Sequence, residues 1–311
     1  MPDVVVLGDA NPDLILRGDV VPRFGQAEQL LSGAELLIGG SGSITAHALA
    51  RLGRSVRLVA TIGDDEFGRF MTERLRAAGV DVSGLIRVDD ATGLTVVLAA
   101  DGDRGMLTHL GAIPALTPER ARAALETAIA DGARHLHVAS FFLLSALAPG
   151  LPELLRFARD AGLTTSLDTN FDPAEAWQGV AACLAEVDLL LPNRTEALAL
   201  AGAGSLNEAG AALAAHGPTV VVKDGAHGAI RFDRDGGRVT AAAPVVEPVE
   251  TTGAGDTFDA AYLDAFLDGR PPEECLERAC IAGALATTAR GGTAGQPDTA
   301  RLNSALEEKR S

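Results

Sequence analysis

The stretch Thr251-Thr252-Gly253-Ala254-Gly255-Asp256-Thr257-Phe258 opens an apolar segment whose pattern predicts a helix over 257–267. Gly253, Ala254 and Gly255 carry little or no side chain, so their backbone N–H groups can turn toward one point. A helix N-terminus adds about half a positive charge there. Such a point can hold the negative charge that develops on a phosphoryl group. Asp256, on the first turn, can take a proton from an attacking hydroxyl. The same residues also describe an Asp at a helix start preceded by a tight turn, a common structural arrangement.

Outward from this stretch, short apolar strands alternate with alanine-rich helices. Strands are expected at 4–7, 56–60, 135–138, 164–168, 189–192 and 220–222. Helices are expected at 44–51, 68–78, 118–130, 150–161, 174–186 and 208–215, each of crossover length. Such alternation predicts a doubly wound α/β fold with a mostly parallel sheet. Two segments break it, 12–37 and 85–110. They carry strand-like pieces at 14–16, 28–31, 35–38, 94–99 and 106–109, with a turn at Asp101-Gly102-Asp103. We expect these pieces to form a small antiparallel sheet, a lid over a site within one domain spanning 1–311. The tail 302–311 reads as a short charged helix with a frayed end.

Composition narrows the function. The net charge is −16, against nucleic acid and anionic membranes as partners, because phosphate binding rests on clustered cations. The only lysines are Lys223 and Lys309, and no Gly-Lys pair occurs, which excludes a Walker A loop. Cys183, Cys275 and Cys280 show no metal-ligand spacing and read as reduced thiols of a cytoplasmic protein. The opening residues lack a basic region, so no signal peptide is expected. No apolar run approaches the roughly 20 residues of a membrane span.

Four further clusters follow strand ends or open helices. Asn193 and Glu196, in Pro192-Asn193-Arg194-Thr195-Glu196, lie three apart on a first helical turn. They can serve a magnesium–phosphate group through water, or form a capping box. Lys223, Gly225 and Gly228, in Lys223-Asp224-Gly225-Ala226-His227-Gly228, suit close approach of a phosphate or base at a strand end; a hairpin turn is the alternative. Gly39, Gly40 and Ser41 open the helix to Arg51. Asn11 and Asp13, just past the first strand, can bond vicinal hydroxyls or serve a turn. His135 and His137 face one side of a strand and read as structural. Cys275 and Cys280 read as packing residues, and Trp177 as core or a surface anchor. No dinucleotide fingerprint follows the first strand, which counts against a nicotinamide-dependent dehydrogenase.

In order and spacing, these clusters resemble the ribokinase-like (PfkB) carbohydrate kinase family, from Val4 to about Pro297. Thr252 to Phe258 resembles its C-terminal signature. Residues 38–53 with 62–68 resemble its N-terminal one, and Asp168-Thr169-Asn170 and 192–197 also match. The resemblance implies a three-layer α/β core with a β-sheet lid and ATP- and magnesium-dependent phosphorylation of a sugar-type hydroxyl. By motif position, Asp256 resembles the catalytic base and Gly253, Ala254 and Gly255 the anion hole. Asn193 and Glu196 resemble the magnesium–phosphate residues. Lys223, Gly225, Gly228 and Thr252 sit where nucleotide is held, and Asn11, Asp13, Gly39, Gly40 and Ser41 where sugar hydroxyls are bound. Glu250, Thr252, Thr288 and Gly292 resemble a K+ site of some members. Ile44 and Ser41 stand where many members carry Asn, and Lys or Asn, which points away from ribose; Glu250 replaces a common Asp. Arg17 and Arg104 are the cations available to an acidic acceptor, and a neutral sugar is the expected one. Nucleoside or sugar-acid kinases of the family, and a non-catalytic sugar or nucleotide sensor on the same fold, are the alternatives. Open lid edges suggest a homodimer.

Overall fold

The computed structural model describes residues 2–25, 28–100 and 103–310. The chain begins with β1 (Val4–Leu7), apolar and fully buried at every position. Val4 and Val6 enter the core on one face of the sheet, and Val5 and Leu7 the core on the other. A strand covered on both faces therefore shows no polar alternation. There follow β2 (Asn11–Gly18), β3 (Leu31–Gly39), α1 (Ser41–Arg51), β4 (Val56–Gly63), α2 (Glu66–Ala77), β5 (Leu85–Val88), β6 (Leu94–Ala100), β7 (Asp103–His109), α3 (Pro118–Ala130), β8 (His135–Val138), α4 (Leu151–Asp160), β9 (Thr164–Leu167) and β10 (Leu189–Leu190). The rest is α5 (Arg194–Ala201), α6 (Leu206–Ala214), β11 (Thr219–Lys223), β12 (Ala229–Phe232), β13 (Arg238–Ala241), α7 (Ala254–Leu267), α8 (Pro272–Ala286) and α9 (Thr299–Arg310).

The larger sheet has the order β13-β12-β11-β10-β9-β8-β1-β4-β5. Seven strands, β5 through β11 in that order, are parallel, and β12 and β13 add an antiparallel edge. Helices α1, α2, α7, α8 and α9 supply the core of one face, and α3 to α6 that of the other. The result is the three-layer, mostly parallel arrangement expected. The sheet grows from β1 first outward to β4 and β5 and then, on the other side, from β8 onward, and ligand crevices open beyond the strand ends at such a reversal. No described helix is long and apolar enough to cross a membrane.

The smaller sheet has the order β3-β2-β6-β7. It is not wholly antiparallel as expected, because β2 and β6 pair in parallel. Their predecessors β1 and β5 run in the same direction, so both chains leave the same edge of the larger sheet. Leu85–Val88, read with the small sheet from sequence, instead pair with β4 in the large one. Asp101 and Gly102 of the expected turn lie outside the described residues. The helix expected over 174–186 does not form. Asp172 accepts the N–H groups of Ala174, Ala176 and Trp177 at 2.7–2.9 Å, removing donors that helix carbonyls would need. Gly179 (φ 91°) then turns the chain, leaving short 3₁₀ turns at Val180–Ala182 and Leu184–Glu186.

His135 and His137 lie in the large sheet, wholly buried. His135 bonds Thr164 Oγ1 and Ser166 Oγ at 2.7 Å each, and His137 Nδ1 lies 2.8 Å from Ser166 Oγ. Burial holds them neutral, down to about 3 for His135 and about 4 for His137. A histidine depressed in the native state stabilises it above the unfolded value of 6.5 and loses that contribution as pH falls. Replacing both by Gln leaves other titrations in place. The thermal midpoint of the native protein should therefore fall more steeply below about pH 6.5 than that of the double variant. Parallel pH profiles in calorimetry would refute this.

Candidate active site

The site lies at the carboxyl edge of the parallel strands, where two helix N-termini meet. Gly253 caps α7 in the left-handed region (φ 73°), and a Cβ there would sit 2.4 Å from Gly292 O. Glycine is thus required on two counts. Asp256 lies one turn in, 7% exposed. Burial first, and then Asp168, push its carboxyl up to about 7, against Lys223 and a hydrogen bond with Ser41. Ser41 begins α1, so the two helix starts meet through this pair. Gln296 ties them further, donating to Ile44 O at 3.0 Å and Thr257 Oγ1 at 3.1 Å.

The glycine-rich turn before α1 is shaped by the side-chain oxygens of Asp13 and Asn11. A Cβ on Gly39 would lie 2.0 Å from Asp13 Oδ1, and one on Gly40 (φ 79°) would lie 2.9 Å from Asn11 Oδ1. The glycines therefore let Asn11 and Asp13 fold against the loop. Asn11 Nδ2 donates to Thr95 Oγ1 of the small sheet at 3.3 Å. Burial, then Asp9 and Glu250, push Asp13 up to about 7, against Arg104. The structure thus gathers Asn11, Asp13, Gly39, Gly40, Ser41 and Asp256 in one place.

Three residues that sequence reasoning missed organise this place. Asp9 Oδ1 accepts Gly42 N–H at 2.9 Å and Ser140 O–H at 2.8 Å. Asn170 accepts Ser140 N–H at 2.7 Å and donates to Ser41 Oγ at 2.9 Å. The signals available were Asp9 directly after a buried strand and Asn170 in the Asp-Thr-Asn motif; nothing local marked Ser140.

The opposite wall is charged. Lys223 Nζ lies 2.7 Å from Asp168 and 2.9 Å from Asp259. Burial alone would lower the lysine, but Asp168, Asp259 and Glu196 outweigh it and raise it. Its Nζ also lies 3.6 Å from where a Gly255 Cβ would be, beneath the turn of α7. Asp259, one turn beyond Asp256, was missed because it reads as a helix residue. Asn193 and Glu196 form the capping box: Glu196 Oε2 accepts Asn193 N–H at 2.8 Å and Asn193 Oδ1 accepts Glu196 N–H at 3.0 Å. Burial, then Asp168, push Glu196 up to about 7. Gly228 (φ 96°) turns the β11–β12 hairpin, where a Cβ would strike Ala241 O; Gly225 (φ 56°) faces open space.

At the α7 entrance, Glu250 Oε2 accepts Gly291 N–H at 3.0 Å, while its Oε1 is buried without a partner. Arg104 from β7 donates to Thr252 Oγ1 at 2.5 Å, joining the small sheet to this entrance. The Thr288 hydroxyl is directed to Leu285 O at 2.8 Å, and it is Thr287 O that accepts the N–H groups of Val249 and Glu250. Arg17 pairs with Glu35 at 2.6 Å within the small sheet.

The fold and these clusters define a sugar-kinase class of protein. The chain belongs to the pfkB family of carbohydrate kinases, whose family model matches residues 1–299. It is 29% identical to the ribokinase of Bacillus subtilis over 300 residues, 96% of this chain and 97% of that one. The structure of Arabidopsis thaliana ribokinase with ribose and ATP superposes with a TM-score of 0.83 at 26% identity, covering 98% of this chain and 99% of that one. An E. coli protein assigned as ribokinase II, in complex with ATP and Mg2+, shares the fold with a TM-score of 0.85 at 24% identity, covering 99% of this chain and 100% of that one. The chain is therefore a carbohydrate kinase.

Because Lys223 stands between buried carboxylates, Lys223→Met should destabilise the protein by about 3–5 kcal/mol in urea unfolding, the cost of breaking a buried pair from one side. Adding Asp259→Asn should recover part of the loss. A single variant as stable as the parent, or a double variant worse than the single, would contradict the pairing.

Proposed function

We propose that the chain transfers the γ-phosphoryl group of ATP to a hydroxyl of a small neutral sugar, with Asp256 as general base. The observation that carries this is the Asp256 carboxyl, buried and raised to about 7 on the first turn of α7 beside Ser41. A base with that affinity is half deprotonated near neutrality and can hold the proton it takes. Asp256 removes the acceptor's hydroxyl proton as that oxygen forms its bond to γ-phosphorus and the bond to the β-phosphate oxygen breaks. The proton stays on the Asp256 carboxyl. Backbone N–H groups of Gly253, Ala254 and Gly255 then face the negative charge on the phosphoryl oxygens.

Asn11, Asp13, Gly39, Gly40 and Ser41 hold the sugar hydroxyls. Asn193, Lys223, Gly225 and Gly228 border the nucleotide. Arg104 bonded to Thr252, and Arg17 to Glu35, support a neutral acceptor over an acidic one. Both Glu196 oxygens accept from Asn193, so Asn193 and Glu196 suit a magnesium ion held through water, and a buried carboxyl raised by its neighbours gains from a cation nearby. Magnesium there would neutralise charge on the phosphates. The partnerless buried Glu250 Oε1 suits a K+ ion, for which Thr252, Thr288 and Gly292 are the other candidate ligands. Three buried free cysteines suit a reducing compartment such as the cytoplasm.

The test is ATP consumption with magnesium against a panel of sugars, sugar acids and nucleosides. Turnover is expected; thermal shifts by ligands without turnover would identify a sensor instead. Asp256→Asn should lower kcat by about 10²–10⁴. In the parent, kcat/KM should fall as pH drops through about 7, because the base must be deprotonated. Near-normal turnover by the variant would rule out the role.

We also propose a homodimer through the small sheet. Its two outer strands, β3 and β7, carry exposed Leu31, Met106 and Leu107, and unpaired edges with apolar side chains favour pairing. Light scattering at micromolar concentration should give twice the chain mass, and Met106→Lys with Leu107→Lys should give a monomer. A monomeric parent would refute the dimer.

A further inference from the structure

Gln296 is buried in the loop between α8 and α9. That loop is pressed onto the end of α8, since a Cβ on Gly295 would lie 2.3 Å from Ala286 O. Every hydrogen-bonding group of the Gln296 side chain is engaged. Its amide nitrogen donates to Ile44 O at 3.0 Å and to Thr257 Oγ1 at 3.1 Å. Its Oε1 lies 2.6 Å from His47 Nδ1. A carbonyl oxygen can only accept, so the bond to Ile44 O fixes the amide nitrogen on that side and Oε1 on the other. His47 Nδ1 must then carry a hydrogen and donate it. Burial, against the bond to Gln296, holds His47 below its ordinary value of 6.5. At neutral pH the ring is therefore uncharged, with its one hydrogen on Nδ1.

The groups tied in this way belong to the two helix starts of the site. Ile44 N–H bonds back to Gly40 O at 2.9 Å, so Ile44 closes the first turn of α1. Thr257 stands next to Asp256, and its hydroxyl donates to Gly253 O at 2.7 Å. A chain of bonds thus runs from His47 through Gln296 and Thr257 to the peptide that opens α7, with a branch to the first turn of α1. Gly40 and Gly253 both lie in the left-handed region, where backbone without a side chain is least restrained by its own sterics. Apolar packing between α1 and α7 is non-directional and fills space without fixing how each turn is rotated. Directed hydrogen bonds fix it.

We propose that His47 and Gln296 are positioning residues for phosphoryl transfer: they lock the first turns of α1 and α7 in register, so that Ser41 meets Asp256 and the turn 253–255 faces the phosphoryl group. This deepens the kinase reading and rests on it for the role of Asp256. Neither residue belongs to the sets assigned to acceptor or nucleotide, so losing either should reach kcat and spare binding.

Gln296→Leu keeps the volume and removes all three bonds. It should lower kcat by about 10–100-fold, the cost of misplacing reacting groups by about 1 Å, with KM for acceptor and ATP within about twofold of the parent. His47→Leu, at the half-buried outer end, guards against misfolding of that variant and should lower kcat by about tenfold. His47→Asn places an amide N–H where Nδ1 stands and should restore kcat to within about twofold of the parent. A purely structural role would not separate these two His47 variants. The bond itself is read without turnover: in ¹⁵N-histidine spectra at neutral pH, the His47 signal, assigned by its loss in His47→Asn, should be that of the Nδ1-protonated ring. An Nε2-protonated ring, equal kcat in the two His47 variants, or a Gln296→Leu variant that loses only KM would each overturn the proposal. If Asp256→Asn is impaired and Gln296→Leu is not, the positioning role falls and the base reading stands. If Asp256→Asn turns over normally while Gln296→Leu does not and His47 is Nδ1-protonated, the base reading falls and the lock between the helix starts stands.

Discussion

One buried ammonium holds the site in its charge state. Lys223 is paired with Asp168 and Asp259 at the ends of β11, β9 and inside α7. Three structural elements therefore meet at one cation, under the turn that opens α7. Removing charge from water is costly, and two carboxylates without a counter-ion could not both stay ionised there. Lys223 makes the Asp168 carboxylate stable, lowering it against the effect of burial. Ionised Asp168 then raises Asp256 and Glu196 toward neutrality. The proton affinity of the proposed base is thus set partly by a residue that need not touch the acceptor.

This arrangement also bears on how an acidic protein can meet an anionic nucleotide. With a net charge of −16 and two lysines, and one of those lysines committed to two aspartates, free ammonium groups are scarce. What the fold offers instead is geometry. The N-termini of α1 and α7 lie side by side, each preceded by glycine in the left-handed region. Backbone donors converge there, at a place where side-chain cations would be costly to desolvate. Arg104 comes from the small sheet to the same entrance, so part of the positive charge arrives with that sheet.

The parallel core was legible because its strands are buried on both faces and show unbroken apolar runs, as β1 does. The glycine motifs were legible as motifs, but their cause was not. Gly39 is needed because Asp13 lies against it, and that contact joins β2 to the end of β3. The segment 174–186 misled because its alanines and spacing favour a helix, while the deciding group, Asp172, sits just outside it and captures the N–H donors. Asp9 and Asp259 were not singled out, for another reason. Each is one acidic residue beside an apolar segment, and only the strand order brings them to Ser140 and Lys223. The parallel pairing of β2 with β6 likewise follows from the direction of β1 and β5, which no local pattern encodes.

Ile44 shows how a departure from family pattern becomes physical. It is 3% exposed, and its Cδ1 lies 2.5 Å from where a Gly292 Cβ would stand. Ile44 therefore packs α1 against the glycine loop that follows α8, and offers nothing polar to the crevice. Its backbone O instead anchors Gln296, which spans both helix starts. Hydroxyl recognition in the proposed reading must then come from Asn11, Asp13 and Ser41, with Asn170 behind Ser41. That set is short for a small polyol. A buried acceptor with few hydrogen-bond partners depends the more on apolar contact.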